Sequence, residues 1–192
     1  MQMTHITPAP KEVFLNKDIV EECLKTFSIL VDTREHNTAR SVQRFERFKV
    51  PYRRQKLEYG DYTYNFTFPD GQELYSEGDV VAPKVYIERK MDLDELSGCF
   101  THSRERFRAE FQRAKDSGAK GYLVVENSCI DGIYAGRYRT LFKPMAYQAS
   151  FWAFVARFDL SPVFVSEDNA GRVIRDILFR ELKQKLVTGV YG

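Results

Sequence analysis

Lys84-Val85-Tyr86-Ile87-Glu88-Arg89-Lys90 sets Val85, Ile87 and Arg89 against Tyr86, Glu88 and Lys90 in strict alternation, the period of a β-strand. On a strand, Glu88 and Lys90 share one face and Arg89 takes the other, so a carboxylate and an ammonium stand side by side. Toward the N-terminus, Asp61 to Phe68 and Tyr52 to Leu57 are aromatic and β-branched runs that predict two more strands. Gly60 separates them, and Pro69-Asp70-Gly71 forms a turn. Gln72 to Pro83 is expected to be a hairpin arm followed by a loop. Val42, Phe45 and Phe48 recur at helical spacing over 38–49, and Pro51 stops that helix. Phe27 to Asp32 is a mostly apolar strand, and Asn16 is a good N-cap for a helix ending near Lys25. The first dozen residues, with Pro8 and Pro10, form a loose lead-in.

Toward the C-terminus, helices are expected at 92–100 and 103–116, the second ending at Gly118. Gly121 to Glu126 is a strand, Pro144 opens a helix to Phe158, Pro162 to Ser166 is a strand, and Glu167 to Val187 is a final helix. Strands separated by helices, with a hairpin in the middle, predict an α/β fold: a three-layer α/β/α domain with a mixed central sheet. The expected division is a lead-in and helix over 1–26 and one compact domain over 27–192.

Composition fits a globular chain. Its 192 residues are 43% hydrophobic and 29% charged, enough to bury one core, which excludes disordered and collagen-like classes. No apolar run approaches the roughly 18 to 20 residues of a membrane span. Met1-Gln2-Met3-Thr4-His5 lacks the marks of a signal peptide, so a cytoplasmic protein is expected. Cys23, Cys99 and Cys129 are odd in number and far apart, which fits neither a disulfide framework nor a zinc site, so buried thiols are expected. Against 27 Asp and Glu stand 29 Lys and Arg, a formal charge of +2 that by itself does not announce a nucleic-acid binder. The charges are segregated, however, with arginines concentrated at 34–56 and 104–113.

The acids carry the chemistry. Asp32 and Glu35 follow a strand end, Asp61 follows a glycine, and Asp94 sits in the first turn of a helix. Acids that converge with Glu88 repel one another unless a divalent cation neutralises them, and hard oxygen ligands suit Mg²⁺ or Mn²⁺. A cation held by Asp61 and Glu88 would activate water and polarise a phosphoryl oxygen, with Lys90 positioning that water or stabilising developing charge. Alone, an acid-x-lysine on a strand is also the mark of an ordinary solvated ion pair.

The wider pattern is more specific. Gly60-Asp61, a spacer, Glu88-Arg89-Lys90 and then Asp94, all preceded by Asp32-x-x-Glu35, closely resembles the nuclease domain of the XPF-type structure-specific endonucleases, whose signature is GD, a spacer, then ERK-x3-D. The resemblance runs from Ile29 to Leu186 and includes the strand end Val124-Val125-Glu126. It implies a restriction-endonuclease-like core over 27–192, with Asp61 and Glu88 as metal ligands and Lys90 as the catalytic lysine. Asp32, Glu35, Arg89 and Asp94 would support them; an acid at a helix start also serves as a cap or dipole partner, and Asp92 competes with Asp94, which only the x3 spacing favours. The spacer between Asp61 and Glu88 is long, and no tandem helix-hairpin-helix module follows Ser166, so a compact stand-alone form is expected. Its small size would suit a bacterial or phage-encoded protein.

DNA is the expected partner, on this resemblance. Arg34, Arg104 and Arg106 are the expected phosphate contacts, and Phe107, Phe111 and Ala114 form the buried stripe of the Arg104 helix. His102 is a weaker candidate. Arg40, Arg44 and Arg47 form a basic stripe off the apolar face of their helix, closely followed by Arg53, Arg54 and Lys56. The helix over 144–158, with Phe151, Trp152, Phe154 and Phe158, is either fully buried or shared with a second subunit, since XPF-type domains pair through this part as homodimers or heterodimers. Tyr134, Tyr138 and Phe142, interspersed with Arg137, Arg139 and Lys143, form a loop facing DNA or that partner. The function implied is a metal-dependent DNA endonuclease for branched or otherwise structured DNA. The alternatives are a non-catalytic DNA-binding or scaffold subunit and a related nuclease acting on RNA or DNA ends.

Overall fold

The computed structural model describes residues 16–191, so the loose lead-in lies outside the described residues. Asn16 caps α1 (Lys17–Lys25) by accepting the Asp18 amide at 3.0 Å. β1 (Ser28–Asp32) is followed by α2 (Ala39–Glu46), β2 (Tyr52–Gln55) and β3 (Tyr62–Asn65). Next come β4 (Val85–Lys90), α3 (Leu93–Phe100), α4 (Arg104–Asp116) and β5 (Lys120–Glu126). The chain then forms α5 (Ile130–Tyr134), α6 (Pro144–Phe158), β6 (Leu160–Val165) and α7 (Glu167–Val187). The short α5 falls where the sequence suggested only a loop. Between β3 and β4, the expected hairpin arm is reduced to single bridges, Thr67 to Glu73 and Leu57 to Val81.

The six strands run in the order β2-β1-β3-β4-β5-β6. β3 is antiparallel to both neighbours and every other pairing is parallel, which makes the sheet mixed as expected. α1, α2 and α7 cover one face over Ile29, Val31, Tyr62 and Ile87. α3, α4 and α6 cover the other over Tyr86, Leu123 and Val125, giving two main cores and three layers, with a small third cluster of Leu30, Leu57 and Val81. Central strands buried on both sides explain the near-continuous apolar runs of β1 and β5.

Of the three cysteines expected to be buried, Cys23 is, Cys99 is half-buried and Cys129, just before α5, is exposed. Two expectations about helix faces also change. Val42 is 42% exposed, while Phe45 and Phe48 are buried as expected. α6 buries Tyr147, Phe151, Phe154 and Phe158 but leaves Met145 and Trp152 exposed, so it is buried on one side only. Among the described residues, no helix is long and apolar enough to cross a membrane.

The topology positions the site. The parallel strands β1, β4 and β5 end at Asp32, Lys90 and Glu126, and the antiparallel β3 begins just after Asp61. All four residues therefore gather at one end of the sheet, where open α/β sheets place their ligands.

Candidate active site

Asp61 is fixed by its backbone and its side chain together. Its amide donates to the Ile87 carbonyl at 2.8 Å, its carbonyl accepts the Asp32 amide at 2.8 Å, and its Oδ2 accepts the Arg89 amide at 2.7 Å. Beside it, Lys90 Nζ donates to Glu88 Oε1 and lies 5.3 Å from the centre of the Phe107 ring. Glu88 and Lys90 are both buried, on the α3–α4 side of β4. Burial and then the Glu88 carboxylate push Asp61 well above the usual carboxylate range, against the pull of Lys90. Burial also raises Glu88, although Lys90 opposes it, and Glu110 adds to the rise. Burial alone would lower Lys90, but Glu88 and Asp61 outweigh it and hold the group as an ammonium.

The opposite face of β4 carries a buried ionic network. Arg44, from α2, donates through Nε to Glu126 Oε1 at 2.9 Å and through Nη1 to Glu35 Oε1 at 2.8 Å and to the Tyr62 hydroxyl at 2.9 Å. Tyr62 donates to the same Glu35 oxygen at 2.9 Å. Arg89 donates to Glu126 Oε2 at 3.3 Å and lies 3.5 Å from Glu35, while its own Nε is buried without a partner among the described residues. The strand alternation thus splits the motif: Glu88 and Lys90 face the Asp61 pocket, and Arg89 ties the strand end to Glu126 of β5 and to Glu35 after β1.

The sheet order, the acids at its strand ends and the sequence pattern agree with one family. A model of the ERCC4 domain matches residues 31–171. This chain belongs to the ERCC4 domain family. Its fold is similar to that of XPF from Aeropyrum pernix, at a TM-score of 0.53 and 18% identity over 80% of this chain and 61% of that one. XPF from Aeropyrum pernix in complex with DNA gives a TM-score of 0.54 and 19% identity over 83% and 66%. The chain therefore spans just under two thirds of the length of these solved structures. No curated protein matches it in sequence.

Within this ERCC4 domain, the remaining motif acids have separate places. Asp32 is buried and saturated. Its Oδ1 accepts the Arg34 amide at 2.6 Å and Nε at 2.8 Å, and its Oδ2 accepts Arg34 Nη2 at 3.1 Å and the Leu57 amide at 2.8 Å. It orients Arg34, whose side chain remains 55% exposed. Asp94 is not brought to the Asp61 pocket. Its Oδ1 accepts the amides of Arg139 at 2.6 Å and Thr140 at 3.2 Å, and its Oδ2 accepts Arg139 Nε at 2.7 Å. Burial is the largest single influence and pushes the carboxyl up, yet the hydrogen bonds and charge of Arg139 and the Thr140 amide together outweigh it and hold Asp94 below the usual carboxylate range. Asp92 is the residue that caps α3, accepting the Glu95 amide at 2.8 Å.

The basic stripe of α2 is mostly committed inside the domain. Arg44 is 4% exposed in the network above, Arg47 binds the Glu167 carbonyl and Asp168, and Arg40 lies 3.4 Å from Glu167. Arg53 and Arg54 are likewise taken up, by Gln55 and Glu73 and by the carbonyls of Asp32 and Thr33. Arg104 and Arg106 are both exposed but face different neighbours. Arg104 lines a crevice with Arg108, Ser150 and Arg157 of α4 and α6, whereas Arg106 lies near Cys99, beside the Lys90 pocket. His102 packs its ring against Gly98, where a Cβ would come within 2.9 Å.

Sequence reasoning missed Glu110 and the role of Glu126. Glu110 falls three residues after Phe107 and four before Ala114, a position on the buried stripe of α4 that marks it as an inward-facing acid.

The residues present fit a hard divalent cation. Asp61 and Glu88 each use one carboxylate oxygen on the protein, leaving Asp61 Oδ1 and Glu88 Oε2 without a protein hydrogen bond among the described residues. No group of three or more His, Cys, Asp or Glu side chains there is arranged to hold a metal. Two carboxylates with the remaining positions left to water and substrate oxygens suit Mg²⁺ or the similar Mn²⁺.

Proposed function

We propose that this ERCC4-domain protein is a divalent-metal-dependent endonuclease that hydrolyses phosphodiester bonds in branched or otherwise structured DNA. The observation that carries this reading is the placement of two buried carboxylates, both pushed up by burial, beside a buried ammonium at the strand ends. A cation held by Asp61 and Glu88 would relieve that carboxylate pair and polarise the scissile phosphate. Lys90 stays charged, so in the mechanism it donates: its Nζ orients the attacking water or stabilises negative charge growing on the phosphoryl oxygens. Phe107 and the aromatic layer around it keep bulk water from the lysine. Arg34, already oriented by Asp32, and the exposed Arg106 provide the phosphate-facing cations. The DNA in the complex of the Aeropyrum pernix XPF supports nucleic acid as the substrate class. A second subunit bound through α6 completes the proposed assembly.

A matched-sequence panel of flap, fork, junction, single-stranded and linear duplex DNA tests this reading. Wild type with Mg²⁺ or Mn²⁺ is expected to cut one or more of the branched substrates preferentially. Asp61→Asn is expected to lower the rate by about a thousandfold, in keeping with loss of a metal ligand and its charge stabilisation. Salt-sensitive DNA binding without cleavage of any member would replace the enzyme with a non-catalytic subunit.

A further inference from the structure

The Gly60-Asp61 turn is held by a carboxylate that lies outside the ERK motif. Glu110 sits in the middle of α4 with its side chain 18% exposed. Its Oε1 accepts the Gly60 amide at 3.1 Å and lies 3.7 Å from Arg34 Nη2. Gly60 has a φ of +76°, and a Cβ there would meet the Tyr86 ring at 2.8 Å, so this position is restricted to glycine and its amide direction is set by the turn. β1 and β4 hold Asp61 through Asp32, Ile87 and Arg89. Glu110 adds a tie from the helical layer.

The same oxygen bears on Arg34. That guanidinium donates to Asp32 through Nε and Nη2 and to the Leu57 carbonyl through Nη2, which leaves Nη1 without a protein partner among the described residues. An arginine fixed on two of its nitrogens and open on the third is preorganised for an oxyanion.

Resting on the nuclease reading above, we propose that Glu110 is a positioning residue for the metal site: it locks the Gly60-Asp61 turn in place and registers Arg34, the phosphate-facing cation, against it. Its position on α4 also joins the turn to the helix that carries Arg104 and Arg106. A merely stabilising carboxylate would affect melting but not the metal.

Glu110→Gln keeps a side-chain oxygen for the Gly60 amide, whereas Glu110→Ala removes it and Glu110→Asp withdraws it by one methylene. Mn²⁺ binding is read from the paramagnetic resonance of free Mn²⁺ with DNA-free protein, and turn order from hydrogen exchange at the Gly60 amide. Glu110→Gln is expected to stay within about twofold of wild type, and Glu110→Ala to bind Mn²⁺ about ten to a hundredfold more weakly, the range for partners that orient metal ligands. In cleavage, Glu110→Ala should raise the Mn²⁺ concentration for half-maximal rate while leaving the rate at saturating Mn²⁺ close to wild type. Should Glu110→Ala fail to fold, Glu110→Asp is expected to show the same split. Unchanged Mn²⁺ affinity and Gly60 exchange in the alanine variant, or equal losses in the glutamine and alanine variants, overturn the role. Wild type that binds Mn²⁺ but cuts no DNA defeats the nuclease reading and leaves the glutamine-alanine comparison to decide Glu110. Wild type that binds no Mn²⁺ overturns both.

Discussion

At the scale of single residues, the motif divides into groups that face the pocket and a group that shapes its surroundings. Asp94 holds the start of an exposed loop through three hydrogen bonds to Arg139 and Thr140. Leu141, just beyond, is fully exposed. An acid acting through that loop should be mimicked by its partner. Asp94→Ala and Arg139→Gln are therefore expected to give similar, modest losses of cleavage, about tenfold or less, and faster trypsin cutting after Arg137. Their cost in stability should be small, because the Arg139 side chain is 85% exposed and solvent screens the pair. A loss as deep as that of Asp61→Asn, with Arg139→Gln unaffected, would return Asp94 to the chemistry. The clamp also has a defined pH sign. Its folded carboxyl lies below the unfolded value near about 3.9, so its contribution is present above that value and disappears as pH falls through the folded one. Glu88 and Lys90 were legible as a pair because strand alternation puts them on one face, whereas Asp61 joined them in the sequence only through the resemblance of the whole motif. Glu110 was not legible, because its partner is a backbone amide 50 residues away, and no spacing rule connects the two.

At the scale of elements, α2 shows how a correct helix can be misread by face. Its helical span was legible from Thr38, which caps it and accepts the Ser41 amide at 3.2 Å. The assumption that failed was that the side away from Phe45 meets solvent. α7 crosses α2 so closely that a Cβ on Gly171 would lie 2.3 Å from the Arg44 carbonyl oxygen, and Arg44 is enclosed between the helix and the sheet. Helix periodicity cannot report a second covering layer. The same limit applies to the sheet, since β1 lies between β2 and β3 through pairings that sequence order does not reveal. Enclosure gives Arg44 a large energetic role. Removing one member of a buried ion network leaves its partners charged and unpaired, so Arg44→Met is expected to destabilise the fold by about 3 to 5 kcal/mol. Urea denaturation would measure it. A loss below about 1 kcal/mol, the scale of an exposed pair, would mean that water replaces the guanidinium around Glu35 and Glu126.

At the scale of the whole molecule, the two cores leave one conspicuous apolar surface. α6 turns Met145, Ala149, Trp152, Ala153 and Ala156 outward, positions that recur at helical spacing, and Met145 is 82% exposed. Tyr134 of α5 extends this surface, its hydroxyl accepting Trp152 Nε1 at 3.0 Å. Solvent-facing small and large apolar side chains on one helix suit a self-complementary pairing, in which the alanines admit the neighbouring helix and Trp152 and Met145 fill the space beside them. A stable pair needs about 1,200 to 2,000 Å² of total buried surface, more than one short helix face provides, so α5 and the loop bearing Leu141 would have to join the contact. Trp152 is the chain's only tryptophan, so its emission reports on this surface alone. Sedimentation velocity is expected to show a dimer at micromolar concentrations, with a blue shift of the tryptophan emission as concentration rises. Because Met145 is not part of a core, Met145→Glu should shift the population to monomer, weakening association by about tenfold or more, while leaving the melting of the monomer nearly unchanged. A wild type that remains monomeric at about 100 μM, well above the micromolar range reached by standard-sized interfaces, would assign the α6 surface to a different partner.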